Sequence, residues 1–369
     1  MLRPARFAQR LRPPLGGVPL APQRLNASVE RVARNGDSSL HLVHGFEQGL
    51  TRVRGAGGLA YRHSDGTAVD DAADLERIAD LAIPPAWTDV WISLDPAAHL
   101  QATGFDARGR KQYRYHAKWR EERDELKFQD MESFGRVQPA LRARIEQDLG
   151  RERHLDHRRI LALALRLLDV GLFRVGSDRY AQENHHYGLT TLRMSQVVVR
   201  DGRAVFDYIG KEGKRQRLSI ADAEAVEVLA ALRRRRSGPP ELIAFRGARG
   251  WTRVHGQDVN NFLRCLSGGP YSAKDYRTWN ATVIAATALA GQRPVNARAA
   301  GLASRAAAEA LGNTPAVARQ SYIDPRVLRL YAEGQVVNLY DLPDDAWQAR
   351  ASIERRVLEL LDPGDCGAQ

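Results

Sequence analysis

Residues 311–325 read Leu-Gly-Asn-Thr-Pro-Ala-Val-Ala-Arg-Gln-Ser-Tyr-Ile-Asp-Pro, and the residue among them with chemistry to offer is Tyr322. A tyrosine between two helical runs is ordinarily a half-buried packing residue with its hydroxyl at the surface. Three cations elsewhere change that reading: Arg174 in Phe173-Arg-Val-Gly-Ser-Asp-Arg-Tyr180, Lys211 in Gly210-Lys-Glu-Gly213, and Arg277 in Ser272-Ala-Lys-Asp-Tyr-Arg-Thr-Trp279. Cleaving a phosphodiester with a protein hydroxyl requires a nucleophile, cations around the non-bridging oxygens as charge builds, and an acid for the departing alkoxide. Arginine suits the second task because its planar fork donates two hydrogen bonds to a phosphate. Lysine suits the third because it can surrender a proton and guanidinium cannot.

Each segment has a plainer reading when taken singly. Arg174 and Tyr180 form a weak R-x-G-x-x-x-Y pattern and need not share a face. Lys211 in a glycine-flanked turn reads as a surface lysine. Lys274 and Arg277, at i and i+3, share a face near the start of a helix capped by Ser272, where the helix N-terminus adds positive potential. The chain holds only six lysines, and of the three beyond Lys127, Lys211 and Lys274 fall in these segments and Lys214 directly follows the first.

The elements that must position these residues follow from periodicity and turn signals. Residues 1–39 form a basic arm, free of acidic residues as far as Ser28 and rich in proline; a disordered arm is the plain reading and an organellar transit peptide the alternative. Residues 40–127 are short apolar segments broken by turns, with a helix expected at Ala72–Leu81 and a strand at Val90–Leu94. This small β-rich unit ends in Gly109-Arg-Lys-Gln-Tyr-Arg-Tyr115, where an extended strand puts Tyr113 and Tyr115 on one face and Arg114 on the other. That face is either packed aromatic surface or a nucleic-acid contact.

Residues 128–369 turn helical. Helices are expected at Arg120–Met131, Val137–Leu149, Arg158–Asp169, Ala221–Arg236, Gly256–Leu266, Ser272–Leu289 and Ala297–Leu311, with a further run after Pro325. Strand text interrupts them at Ser195–Arg200, Ala204–Ile209 and Arg215–Ile220, joined by Asp201-Gly202 and the Lys211 turn. The four-arginine run Arg233–Arg236 reads as a solvated helix end favourable to the dipole. The fold class is α+β: a β-rich N-terminal domain, then a mainly helical domain holding a three-stranded hairpin sheet.

Length predicts two domains more readily than one. No apolar run is long enough to cross a bilayer, and a net charge of +11 points to a polyanionic partner, nucleic acid before an anionic membrane, since no basic amphipathic helix with large apolar residues stands out. Cys265 and Cys366 are too few and too far apart for a disulfide framework or a zinc site, which fits an intracellular protein without metal.

Together these segments resemble the type IB DNA topoisomerases of the bacterial and poxvirus kind, over about residues 50–335 and in the family's order. Gly109–Tyr115 looks like that family's DNA-contacting strand, which implies DNA contacts at Arg110, Gln112, Tyr113 and Tyr115, with Tyr180 as a further one. Arg174, Lys211, Lys274, Arg277, Asn313 and Tyr322 fall where its active-site residues lie. The resemblance implies attack by Tyr322 to give a 3′-phosphotyrosyl link and a free 5′-hydroxyl. Arg174, Arg277 and Asn313 would stabilise the transition state, and Lys211, with Lys274 nearby, would protonate the leaving oxygen. Rotation and resealing follow, without cofactor, nucleotide or metal. The partner implied is duplex DNA gripped by a monomer clamping around it, in the cytoplasm at the nucleoid. Poxvirus and eukaryotic members carry His where this chain, like bacterial ones, has Asn313, a neutral donor. A tyrosine recombinase is the alternative, though recombinases usually carry His at the position of Lys274; a non-catalytic DNA-binding protein is the third reading.

Overall fold

The computed structural model describes residues 39–362 apart from 46, 56–57, 152–153 and 293–294. The expected arm and its transit-peptide alternative lie, but for Ser39, outside the described residues, as does Cys366. The chain divides between Leu126 and Lys127 into two compact units.

The first unit is a five-stranded antiparallel sheet with one helix. Its elements are β1 (Gly49–Gly55), β2 (Gly58–Arg62), α1 (Ala72–Asp80), β3 (Thr88–Ser93), β4 (Leu100–Phe105) and β5 (Lys111–Tyr115), with strand order β2-β1-β3-β4-β5. Leu50, Ile78, Val90, Ile92 and Ala102 form its core, and Asp71 caps α1 by accepting from the Asp74 N–H at 2.9 Å. Strand β4 has no counterpart in the sequence expectation, and its polar residues Gln101 and Thr103 are buried along with its apolar ones. Gln101 spends its amide on the carbonyls of Asp95, Pro96 and Ala98 at 3.1, 3.0 and 2.7 Å.

The next helix, α2 (Ala117–Leu149), is continuous where the sequence suggests two helices. Pro139 sits in its interior and removes a backbone hydrogen bond, a cost of about 3 kcal/mol. Burial of Phe134, Leu141, Ile145 and Leu149 on the same helix offsets it. Gly135 lets the helix press against Trp279, whose ring would lie 2.7 Å from a Cβ there.

The second unit is built on α3 (His157–Gly171), buried at every residue from Arg159 to Asp169. Around it lie α4 (Asp178–Asn184), the sheet β6 (Val197–Arg200), β7 (Arg203–Ile209) and β8 (Arg215–Ile220), then α5 (Ala223–Arg233), and the hairpin β9 (Ala244–Gly247) with β10 (Gly250–Arg253). After these come α6 (Gly256–Ser267), α7 (Ala273–Ala290), α8 (Ala297–Leu311), α9 (Pro315–Ser321), α10 (Pro325–Ala332) and α11 (Ala346–Leu361). The Asp201-Gly202 turn adopts φ of 51° and 68°, the paired left-handed geometry that an Asp-Gly hairpin favours.

The arginine run is not simply solvated. Arg235 is buried and ties the β9 approach to the end of α5, donating to the Leu242 carbonyl at 3.0 Å and the Pro239 carbonyl at 2.6 Å. Charge on α3 is matched as well. Asp169 accepts from Arg142 of α2 at 2.8 Å, Arg142 donates to Glu354 of α11 at 2.6 Å, and Arg350 bonds Asp169 and, at 3.1 Å, Glu354. Trp347 lies over Arg142, Arg166 and Arg350. This network ties α11 to the core.

Candidate active site

Three backbone devices carry the cations. Arg174 follows α3 after Leu172, which turns the chain at φ 50°. Its carbonyl accepts from the Leu189 N–H at 2.8 Å, and the Val175 carbonyl accepts from the Thr190 N–H at 2.8 Å, so the Arg174 segment is held against the start of the 3-10 turn Leu189–Thr191. Gly188 permits this closeness: a Cβ there would stand 2.7 Å from the Arg174 carbonyl oxygen and 2.6 Å from Gly176. Residue Tyr187 reaches in turn to β7, donating to the Ile209 carbonyl at 2.8 Å. The same β7 leads into the turn that carries Lys211, closed by the Gly210 N–H to the Lys214 carbonyl at 2.8 Å.

Arg277 projects from α7, where Ser272 and Asp275 form a capping box. It is 4% exposed and donates to the Leu311 carbonyl at 2.8 Å and to the Leu172 carbonyl. It thereby holds the C-terminal ends of α3 and α8 together, the points from which Arg174 and Asn313 depart. Asn313 follows the Gly312 cap of α8, and its Oδ1 accepts from Arg174 at 2.5 Å. The Asn313 Nδ2 and the Arg277 Nε are buried donors with no partner among the described residues.

Tyr322 terminates α9. Its N–H donates to the Ala318 carbonyl at 3.0 Å and its own carbonyl accepts from the buried Thr282 hydroxyl at 3.3 Å, one turn beyond Thr278 on α7. The neighbouring Ser321 carbonyl accepts from Lys127 at 2.8 Å. With its backbone so fixed, the ring lies 5.5 Å from the Arg277 guanidinium carbon. Burial alone would raise the phenol, but the charges of Arg277 and Arg174, with Lys274 adding to them, outweigh it and bring it below the ordinary 10.0. Tyr208 of β7 feels the same arginines yet is pushed up to about 12, because burial dominates there. Of two phenols near one pair of guanidiniums, only Tyr322 is readied to lose its proton. Arg277 is itself brought down to about 10, by burial first and then by the like charge of Arg174.

A pocket lined by Arg174, Lys211, Arg277, Tyr208 and Gln216 opens here, and Asn313 and Tyr322 join it through their contacts with the two arginines. Lys274 sits one turn before Arg277 and contributes through its charge. Lys211 is largely exposed, with Glu212 4.0 Å away. Tyr180 is on α4, 46% exposed, and is not among the pocket's lining residues. It does not continue the Arg174 helix, since α3 has ended before Arg174.

The remaining expected contacts lie in the first unit. On β5, Tyr113 and Tyr115 stack with ring centres 6.1 Å apart, while Arg114 turns to the other face and donates to the Ala82 carbonyl at 2.7 Å. Asp106 accepts from Arg110 at 2.7 Å and from Gln112 at 2.9 Å, and is held down to about 2, first by its hydrogen bond with Arg110. Sequence reading misses Asp106, Tyr208 and Gln216. The only signals for the last two are β7 alternation, which puts Tyr208 on the Phe206 face, and the register that sets Gln216 opposite Tyr208. Among the described residues, no cluster of three or more His, Cys, Asp or Glu could hold a metal ion. No helix there is long and apolar enough to cross a membrane.

The arrangement can seat an oxyanion between guanidiniums that have no carboxylate partner among the described residues, beside an acidified phenol, a geometry suited to chemistry on a phosphate ester. Residues 116–333 match the family described as the eukaryotic DNA topoisomerase I catalytic core, and residues 58–106 match the bacterial DNA topoisomerase IB N-terminal domain. The chain is 29% identical over 295 residues to DNA topoisomerase 1B of Acanthamoeba polyphaga mimivirus, covering 77% of this chain and 88% of that protein. With well over half its length matched, the chain belongs to the type IB DNA topoisomerase family. It is an isomerase of DNA topology, and the recombinase and non-catalytic readings give way.

Proposed function

We propose that Tyr322 is the nucleophile of a strand-transfer cycle that relaxes supercoiled duplex DNA. Tyr322 Oη gives up its proton to solvent and bonds to phosphorus, the bond from phosphorus to the 5′-oxygen breaks, and Lys211 supplies the proton that this oxygen takes up. Arg174 and Arg277 hold the non-bridging oxygens, and the partnerless Asn313 Nδ2 and Arg277 Nε donate to them. Lys274 adds positive charge. The nicked end rotates, and the 5′-hydroxyl attacks the tyrosyl ester to reseal the strand. The ester conserves the bond, so the cycle is balanced without nucleotide or metal.

The observation that carries this reading is the contrast between the two phenols: the one with its ring beside Arg277 is acidified, and its buried neighbour Tyr208 is not. Residues 40–127 serve as the DNA-binding domain, with Arg110, Gln112, Tyr113 and Tyr115 of the β5 region meeting the duplex, and Tyr180 adding a contact from the catalytic domain, residues 128–369. The protein acts as a monomer in the cytoplasm, at the nucleoid. The test is relaxation of positively and negatively supercoiled plasmid in the presence of chelator and without nucleotide. Both should relax, Tyr322→Phe should leave both intact, and relaxation by Tyr322→Phe at wild-type rate would overturn the assignment. Binding should weaken steeply with salt, because the grip is on phosphates.

A further inference from the structure

We propose that Gln216 is a positioning residue that clasps the Lys211 turn to the Gly312–Asn313 turn, setting the distance between the proposed general acid and the phosphate-binding groups. The inference rests on the roles assigned above to Lys211 and Asn313.

The observation is a pair of glycines with one side chain above both. Gly210 has φ −93°, a conformation open to any L-residue, so its backbone gives no reason for glycine. The reason is space: a Cβ there would lie 3.0 Å from the Gln216 Cγ. Gly312 caps α8 at φ 62°, and a Cβ there would lie 2.9 Å from the Gln216 Nε2 and 3.0 Å from its Cδ. The near half of the Gln216 side chain thus rests on the residue before Lys211, and its far half on the residue before Asn313. Both gaps are filled from β8, whose register sets Gln216 opposite the buried Tyr208.

The Lys211 turn has little else to place it. The Lys211 side chain is 65% exposed, its nearest carboxylate is its own neighbour Glu212 at 4.0 Å, and Glu212 itself takes the left-handed conformation at φ 64°. Asn313, by contrast, is fixed through Arg174. A clasp between the two turns would transmit that fixed position to the lysine. The contact is one of shape, so a side chain of equal length without the amide should serve.

The test uses the full chain and a duplex that traps the cleaved strand, with single-turnover cleavage, non-covalent DNA affinity and thermal melting measured side by side. Gln216→Ala should slow cleavage by about tenfold to a hundredfold, the range that a small misplacement of reacting groups commands, with affinity and melting unchanged. Gln216→Met keeps the length and should cleave close to the wild-type rate. Gly210→Ala should slow cleavage by itself, and combining it with Gln216→Ala should slow it no further than the worse single change, since both break one contact. Cleavage by Gln216→Ala at the wild-type rate, a loss that appears in affinity or melting instead, or multiplicative effects in the double variant would overturn the clasp. If Gln216→Ala does not fold, Gly210→Ala and Gln216→Met decide: a slow glycine variant with a normal methionine variant supports the clasp, and a glycine variant at full rate overturns it. Lys211→Ala and Asn313→Ala separate the two claims. Should both cleave normally, the site assignment itself falls; should both be slow while Gln216→Ala is not, only the clasp falls.

Discussion

Two pairs of arginines in the second unit, each with one buried and one half-buried member, meet opposite fates. Arg142 and Arg350 are matched with carboxylates: Asp169 and Glu354 serve both, in a closed network that leaves α11 fastened to α2 and α3. Arg174 and Arg277 have no carboxylate partner among the described residues; they lean on the carbonyls of Leu172 and Leu311 and on the Asn313 amide. Burial costs Arg142 and Arg277 most, and only the first pair recovers the cost within the fold. The second holds its charge in reserve, and the partners that would satisfy it are the oxygens of a phosphate. Matched charge holds the fold together, whereas unmatched charge at similar depth marks the site where an anion must come.

The sharpest break of that contrast comes from substituting the site pair. Arg174→Ala or Arg277→Ala should slow single-turnover cleavage by about a hundredfold to a thousandfold, the loss expected when one preorganised charge donor is removed. The counterpart in the matched pair is Arg142→Met, which leaves Asp169 and Glu354 short of a partner and should destabilise the protein by about 3–5 kcal/mol in denaturant unfolding. Arg174→Met should change stability far less, and a larger loss there than in Arg142→Met would dissolve the distinction.

Smaller effects separate the pairs by linkage. Inorganic phosphate should raise the melting temperature of wild type, by a stabilisation approaching about 2.7 kcal/mol at a hundred times its dissociation constant, and should do so much less in Arg174→Met. Arg142→Met should keep the full phosphate response. Acid acts on the matched pair instead. Burial would raise Asp169, but Arg350 and Arg142 hold it below the ordinary 3.8, so its contribution to stability is present above that value and is lost as pH falls through the lowered one. Arg142→Met should flatten this acid limb. The smallest effect is spectroscopic: phenolate absorbance at Tyr322, assigned by difference against Tyr322→Phe, should appear below pH 10 in wild type and move upward in Arg174→Met, because loss of a cation disfavours the anion.

Much of this was legible in the residues. Asp-Gly at 201–202 announced its hairpin, the leucine stripe after Arg158 announced the central helix, and Ser272 announced the start of the Arg277 helix, because turn chemistry, periodicity and capping are local. Local rules failed where tertiary burial outweighs them. The text reads as two helices, Arg120–Met131 and Val137–Leu149, a break that Phe134 and Ile145 override by packing into the core. Arg235, read as solvated, proved to be a buried hydrogen-bonding post. At the site, the types of the reacting residues could be read, but not what sets them apart. That Tyr322 is acidified while Tyr208 is not depends on depth and on distance to Arg277, and that Arg174 and Arg277 go unpaired depends on where every carboxylate ends up.

The central claim is that Tyr322 forms a covalent bond to DNA phosphorus, and denaturant trapping tests it most directly. Wild-type protein mixed with end-labelled duplex and quenched in detergent should yield a protein–DNA adduct, whose labelled peptide maps to the segment holding Tyr322 and whose free strand end is a 5′-hydroxyl. Tyr322→Phe should yield none. An adduct that persists in Tyr322→Phe, or one that maps to Tyr208, would contradict the account.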